Sequence, residues 1–370
     1  MTVKPARLMS IDALRGFDMF WIIGGGALVQ AICKAFPGGE LSALYRQFTH
    51  VTWDGLHFYD LIFPVFLFIA GLSYPFSYAG QVARGESNWS MHSKVVVRMV
   101  TLILLGIVYN GVLYFGADNL AKVSYASVLG KIGLGWGIAA LVYLHTGWRS
   151  RLVVCAAGLA GYALLLTVVA PDAPEGASPT SLHGCLMGYL DRRFTPGRLY
   201  CENVLAPSGP FVSLFAFPTA LLGMAAGDLV RSTRFTSLRK VFLLVLSGVA
   251  SLTLGLVVSA FCPIIKNLWT PSFALVASGC GYLAFAVFYY LVDVRGWQKW
   301  CFAFRLIGLN AIAIYMLRAL VDMRHPGSFL FETVASLTGA FRPAVLAAGE
   351  IVIELWLLNL LYKNKIFFKV

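Results

Sequence analysis

The chain has 370 residues, of which 59% are hydrophobic and only 12% charged, and its formal net charge is +12. A mean hydropathy of +0.76 excludes an ordinary soluble domain and is typical of a protein that crosses a membrane several times. The positive charge does not indicate a nucleic-acid partner, because Lys and Arg concentrate in alternate connections between apolar segments.

Apolar segments of about 20 residues recur along the chain, which is the length that a membrane-spanning helix needs. They predict an all-α polytopic membrane protein with about ten transmembrane helices. The predicted spans cover residues 13–35, 58–80, 94–115, 124–145, 149–171, 210–231, 240–262, 268–292, 302–322 and 343–362. The bias of Lys and Arg places the N- and C-termini in the cytoplasm. The first apolar segment is too long for a cleaved signal peptide.

The connections predict one membrane domain covering residues 1–370, with three outer loops at about 36–57, 172–209 and 323–342. The long middle loop holds aromatic and leucine side chains, so we expect a structured element in it. It also holds Cys185 and Cys201, which leaves a disulfide open. The seven cysteines show no metal-ligand spacing, so no metal is expected.

The first outer loop runs directly into the second span and carries His50, Asp54, His57 and Asp60. Ionisable residues at a membrane interface are costly unless they are solvated or paired, so such a cluster points to a functional site. Either Asp54 or Asp60 is suited to orient an imidazole, and Asp60 is also a candidate helix cap. His57 fits a structural role better than a second base.

Ionisable groups also occur inside the predicted spans, and charges at such depth ordinarily face a bundle interior or a water-filled cavity. Lys131, Arg318 and Glu350 are too deep to reach the surface easily, so they predict a polar path between the two faces. For Arg98 the plainer interpretation, pairing or snorkelling at the end of a span, stands beside a functional one.

Eight segments, in order across nearly the whole chain, carry a resemblance to one family. They are RLMSIDALRGFDMFWIIGGG (7–26), HVTWDGLHFYDLIFPVFLFIAG (50–71), YASVLGKIGLGW (125–136), YLDRRFTPGRLY (189–200), FPTALLGMAAG (217–227), LWTPSFALVASG (268–279), YYLVDVRG (289–296) and GLNAIAIY (308–315). The chain resembles the transmembrane acyltransferases that include lysosomal heparan-alpha-glucosaminide N-acetyltransferase and its bacterial relatives.

The resemblance implies that acetyl-CoA, supplied from the cytoplasm, acetylates the amine of a glucosamine-type sugar on the outer, periplasmic face of a cell inner membrane. The family's essential histidine precedes a Ser/Thr-Trp-Asn/Asp-Gly stretch, and His50 occupies that position here. His50 would act as the general base or as the acyl carrier, and these two mechanisms remain open.

Supporting roles follow the same resemblance. Asn310, in the last of these motifs, is the candidate donor to the oxyanion or the acyl carbonyl, with helix-to-helix hydrogen bonding as its structural alternative. Asp54 and Asp60 complete the candidate catalytic set. The candidate cations for the phosphates of coenzyme A are Arg15, Arg98, Lys131 and Arg318.

Two departures from the family pattern concern the acceptor side. The asparagine that precedes the glycine run in the lysosomal enzyme is absent, because Gly24 follows two isoleucines here. A Gly-Val-Leu-Gln-Arg motif becomes Ser127-Val128-Leu129-Gly130-Lys131, which keeps a cation and loses an amide. They put the identity of the acceptor in doubt more than the reaction type.

Ten spans with deep polar residues also fit a transporter or flippase for a glycan or lipid-linked sugar. A non-enzymatic scaffold would leave the deep charges unexplained. The expected partners are acetyl-CoA, an amino sugar or glycan, and the lipid bilayer, with no nucleic acid; a homodimer is left open.

Overall fold

The computed structural model describes residues 8–111 and 122–368, and these contain helices and no strands. Longer helices, numbered over the described residues, are α1 (Met9–Lys34), α3 (Phe58–Ala83), α4 (Asn88–Tyr109), α5 (Val128–His145), α6 (Trp148–Leu165), α8 (Pro210–Arg231), α9 (Ser237–Ser259), α10 (Pro271–Val294) and α14 (Gly339–Lys363). Shorter ones are α2 (Ala43–Gln47), α7 (Leu186–Phe194), α11 (Phe302–Leu309), α12 (Ala311–Leu320) and α13 (Arg324–Ser336).

The predicted all-α polytopic class is confirmed, but the count of ten spans is not reached. Among the described residues, eight helices are long and apolar enough to cross a membrane, or nine if α11 and α12 form one broken span. The fifth predicted span folds as α6, whose first turn contains Arg149 and Arg151, and it is not among the eight. The ninth predicted span is bent by 72° between α11 and α12. The end of the third predicted span, beyond residue 111, lies outside the described residues.

Contacts divide the described chain into two compact units, so the single membrane domain remains a prediction. The terminal unit comprises residues 8–52, 56–66 and 287–368, and the central unit comprises residues 53–55, 67–111 and 122–286. The helices α3 and α10 contribute residues to both units.

In the terminal unit, the first and last long helices run antiparallel. Phe36, just after α1, packs edge to face on Phe341 near the start of α14, with ring centroids 5.4 Å apart. Farther along, Gly24 lies against Ile351. At the opposite end, Met19 and Leu358 share one buried apolar cluster. The unit therefore has two distinct ends, one at residues 36 and 341 and the other near residue 358.

The helix α1 is broken at Gly24, whose φ of 151° is accessible to glycine and strained for other residues. The break interrupts the regular hydrogen bonding of the helix, so a backbone carbonyl in the segment Trp21–Gly25 needs another partner.

Before the break, α1 crosses α11 at very close range. A Cβ atom added at Gly16 would lie 1.6 Å from the carbonyl oxygen of Phe304, and one added at Gly308 would lie 1.9 Å from that of Asp12. Small residues on both helices are what permit such an approach in a membrane.

In the central unit, α4 and α5 pack antiparallel through glycines. A Cβ at Gly106 would lie 1.9 Å from Oγ of Ser127, and one at Gly137 would lie 2.7 Å from the sulfur of Met99. Likewise α3 meets α8, where a Cβ at Gly223 would lie 2.1 Å from the carbonyl oxygen of Phe68.

The predicted outer loops contain short helices: α2 in the first, α7 in the second and α13 in the third. The expected structured element of the long loop is α7. Cys185 and Cys201 are both free thiols, so the disulfide left open by the sequence is not formed.

The close crossing of α1 and α11 predicts a position-specific cost for a single methyl group. Gly16→Ala forces the two backbones apart, and we expect it to destabilise the protein by about 1–3 kcal/mol, the usual cost of overpacking. Gly161→Ala in α6 is the matched control, since nothing lies within 4 Å of its added Cβ. Thermal unfolding in detergent measures both, and equal melting temperatures would contradict the crossing.

Candidate functional site

The sequence cluster at the start of α3 folds around the carboxylate of Asp60. Nδ1 of His50 lies 2.7 Å from Oδ1 of Asp60, and Oδ2 accepts hydrogen bonds of 3.2 Å from the backbone N–H groups of Val51 and His57. The side chain of Asp60 is 1% exposed, whereas that of His50 is 54% exposed. The result is a buried carboxylate hydrogen-bonded to an accessible imidazole.

Asp60 also closes the N-terminus of α3. It is the third residue of the helix and reaches back to the N–H of His57, which precedes the helix. This is the reach of a capping box, so Asp60 stabilises the helix start without occupying the cap position that the sequence suggested.

Further hydrogen bonds fix the loop that carries His50. The Nδ1–H of His57 donates to the carbonyl of Thr49 over 3.0 Å, and Oε1 of Gln47 accepts from the N–H of Phe58 over 2.9 Å. The ring of Tyr59 lies 5.0 Å from that of His50, and its hydroxyl donates to the carbonyl of Trp21 over 3.4 Å. The bond of His57 fits the structural role that the sequence favours for it, and the bond of Tyr59 links this loop to the broken segment of α1.

Asp54 is not one of the groups bonded to Asp60 in this arrangement. It belongs to the segment Trp53–Gly55 of the central unit, where Nε1 of Trp53 donates to the carbonyl of Thr180 over 2.9 Å and the N–H of Gly55 donates to the carbonyl of Ile264 over 2.9 Å. Asp54 itself is exposed. Of the two candidate orienting carboxylates, Asp60 is the one bonded to His50.

A second charged group occupies the middle of the terminal unit. The guanidinium of Arg318 lies 2.9 Å from Glu350 and 3.1 Å from Glu354, and Nη1 donates over 3.3 Å to the carbonyl of Ile22 in the broken segment of α1. Arg318 thus satisfies the carbonyl that the break at Gly24 releases.

Glu354 is a residue that the sequence pattern did not single out. Its side chain is fully buried and contacts Arg318, so two carboxyl groups share one cation. The available signal was its spacing from Glu350, because residues four apart on a helix lie on the same face.

Asn310 lies at the bend between α11 and α12 and is buried. Its Nδ2 donates to the carbonyl of Ile366 over 3.1 Å, and its Oδ1 accepts from the N–H of Phe368 over 3.0 Å. Both partners follow α14, so Asn310 sits toward the end of the terminal unit opposite Phe36 and Phe341. These bonds favour the structural interpretation of Asn310.

The candidate cations of the central unit have separate surroundings. Lys131 is 1% exposed; it donates to the carbonyl of Pro207 over 2.9 Å and lies 3.9 Å from the ring centre of Trp269. The guanidinium of Arg98 lies 4.2 Å from the ring centre of Trp136. In the terminal unit, Arg15 contacts Asp12 at 3.6 Å.

The long loop is fastened by Asp191, a fully buried residue of α7. Oδ1 accepts from the hydroxyl of Thr195 and Oδ2 from the N–H of Ala206, each over 2.9 Å. Burial raises the pKa of this carboxyl to about 6 from 3.8.

No group of three or more potential metal ligands occurs among the residues that the structure describes.

The raised pKa of Asp191 predicts a pH effect on stability. Between pH 3.8 and about 6 the folded protein binds more protons than the unfolded chain, so Asp191 makes stability fall as the pH rises through this window. In Asp191→Asn the amide oxygen can accept from the N–H of Ala206 and the amide nitrogen can donate to the hydroxyl of Thr195. Because the amide does not titrate, we expect this variant to lose the fall in stability. Asp54→Asn, at an exposed carboxylate, is the control. Unfolding measured in detergent from pH 4 to 7 would contradict this if the slope of Asp191→Asn matched that of the wild type.

Comparison with known proteins supports the family resemblance seen in the sequence. Human heparan-alpha-glucosaminide N-acetyltransferase is 25% identical to the chain over an alignment of 423 residues that covers all of it. The mouse enzyme of the same name is 25% identical over 417 residues, covering 98% of the chain. No protein-family profile matches. The chain spans 61% of the length of each relative, and the similarity extends over nearly all of the chain.

Proposed function

We propose that the chain is a transmembrane acetyltransferase that moves the acetyl group of cytoplasmic acetyl-CoA to the amine of a glucosamine-type sugar on the outer face of a cell inner membrane. The observation that carries this is the exposed imidazole of His50 held by the buried carboxylate of Asp60. The human and mouse relatives are named for N-acetyl transfer to a glucosaminide, which supports the reaction class.

The pairing with Asp60 assigns the proton of the neutral imidazole. An ionised carboxylate only accepts hydrogen bonds, so Nδ1 of His50 carries the proton that faces Asp60. Nε2 then holds a lone pair, which is the form that a general base requires. The same carboxylate stabilises the imidazolium that forms when Nε2 accepts a second proton.

Acyl transfer then requires the following bond changes and one proton transfer. The amine of the sugar attacks the thioester carbonyl, the C–N bond forms, the C–S bond breaks, and the coenzyme leaves as its thiolate. The proton that the amine loses goes to Nε2 of His50. In the alternative two-step route, Nε2 itself attacks the thioester and the amine then attacks the acetyl-imidazole.

The cations proposed for the donor differ in how well they suit a phosphate. Arg318 lies between Glu350 and Glu354, whose carboxylates would repel a phosphate group. Lys131 already donates to Pro207. Arg98, which lies in α4 beside the ring of Trp136 in α5, and Arg15, which contacts Asp12, are the other two candidates. In this proposal Asn310 holds the C-terminal segment, because its side-chain nitrogen and oxygen both form hydrogen bonds with that segment.

A transporter for a glycan or lipid-linked sugar is the second candidate. The specific observation in its favour is the charged group formed by partly buried Arg318 and Glu350 and buried Glu354, since charges deep in a span are typical of transport pathways. A homodimer is compatible with either function.

Sealed vesicles loaded with acetyl-labelled acetyl-CoA distinguish the two functions. With glucosamine outside, we expect labelled N-acetylglucosamine to accumulate outside with the wild-type protein. His50→Ala removes the proton acceptor, and we expect it to lower the rate at least about 100-fold, the low end for general base catalysis. The measured quantity is external labelled sugar against time.

His183→Ala is the matched control, because His183 is another half-exposed histidine, paired with Glu202 at 3.3 Å. It should keep the wild-type rate. Unmodified glucosamine that enters vesicles without acetyl-CoA would support the transporter and overturn the acetyltransferase, as would an unchanged acetylation rate in His50→Ala.

A further inference from the structure

Two histidines that play no part in the proposed reaction meet at one end of the α4–α5 pair. Nε2 of His92 lies 2.8 Å from Nε2 of His145, and the ring centroids are 4.8 Å apart. The two residues are 53 positions apart in the chain, so no sequence spacing could reveal the pair. His145 is exposed and His92 is partly exposed, so solvent reaches the contact.

The packing of the two helices fixes this meeting. Because α4 and α5 run antiparallel, Gly106 lies against Ser127 at one end and Met99 lies against Gly133 and Gly137 in the middle. Continued in the same direction, this antiparallel pairing places the first turns of α4 beside the last residue of α5. The close glycine contacts along the pair therefore fix the register that brings the two imidazoles together.

The hydrogen bond on the far side of His92 sets its tautomer. Nδ1 lies 2.6 Å from the carbonyl oxygen of Asn88, and a carbonyl only accepts, so Nδ1 carries the proton. Nε2 of the neutral ring then presents its lone pair toward His145. A backbone carbonyl that orients a ring in this way is the usual outer partner of a histidine that binds a metal.

We propose that His92 and His145 form a binding site for a divalent transition-metal ion of the Zn²⁺ type, which fastens α4 to α5. Each imidazole supplies Nε2, the ligand atom that such ions favour, and water completes the coordination. On binding, the proton on Nε2 of His145 moves to its Nδ1 by exchange with water, so no net proton is gained or lost.

The geometry requires only a small adjustment. Two nitrogens bound to a tetrahedral zinc ion lie about 3.3 Å apart, so the rings must separate by roughly 0.5 Å from their present hydrogen-bonded contact. Side-chain rotation at an exposed position can supply this. Trp89 and Trp148, both strongly exposed, flank the pair in sequence and mark the level of the membrane–water interface, where aqueous metal ions have access.

The site is structural and separate from the acetyl transfer. Among the described residues no cluster of three or more potential ligands surrounds the pair, so the protein offers two ligands and not a closed set. An open set of this kind predicts reversible binding that responds to the concentration of free metal ion.

The test uses the full chain in detergent after treatment with a chelator. Added Zn²⁺ should raise the melting temperature of the wild type by about 2–4 °C, because ligand binding stabilises the folded state. Added Cu²⁺ should give an electron paramagnetic resonance spectrum with coupling to two imidazole nitrogens. His145→Gln should abolish both signals, because its amide can still donate a hydrogen bond to His92 but is a poor metal ligand.

His325→Ala, which changes a histidine of α13, is the control and should bind as the wild type does. No melting shift in the wild type, or an equal shift in His145→Gln, would overturn the metal site. The second result would assign the metal to other groups, such as the cysteines.

Discussion

The burial of the Asp60 carboxylate is the constraint on which the candidate site depends. A charge placed at the start of an apolar helix must be satisfied by the protein itself. The structure does this with the imidazole of His50 and the N–H groups of Val51 and His57, so the preceding loop folds back over the helix start. The same bonds that stabilise this end of α3 therefore orient an accessible imidazole.

Because α1 and α14 run antiparallel, the polar groups of the terminal unit can be placed in order along these two helices. Arg318 occupies the middle, where the break at Gly24 releases a backbone carbonyl and two glutamates supply negative charge. Asn310 fastens the C-terminal segment at the far end. A helix made irregular at Gly24 is tolerated in an apolar setting because a charged side chain replaces the missing backbone partner.

Much of the fold could be predicted because hydropathy reports directly on long apolar helices. The 72° bend of the ninth predicted span could not, since it lies at Asn310, whose amide bonds to residues far along the chain that only the fold brings near. The role proposed for His50 comes from the family resemblance, whereas the identity of the carboxylate bonded to it, Asp60, needed the folded loop. Glu354 was missed because its partner Arg318 lies on another helix, and only packing brings them together.

The central claim is that Asp60 makes His50 a base for acetyl transfer, and the kinetics of Asp60→Asn test it most directly. The amide can still cap α3 by accepting a hydrogen bond, but it cannot stabilise an imidazolium as a carboxylate does. We predict that kcat falls about 10²–10⁴-fold while KM for acetyl-CoA and the melting temperature stay close to wild type. A kcat within a few-fold of wild type would contradict the claim.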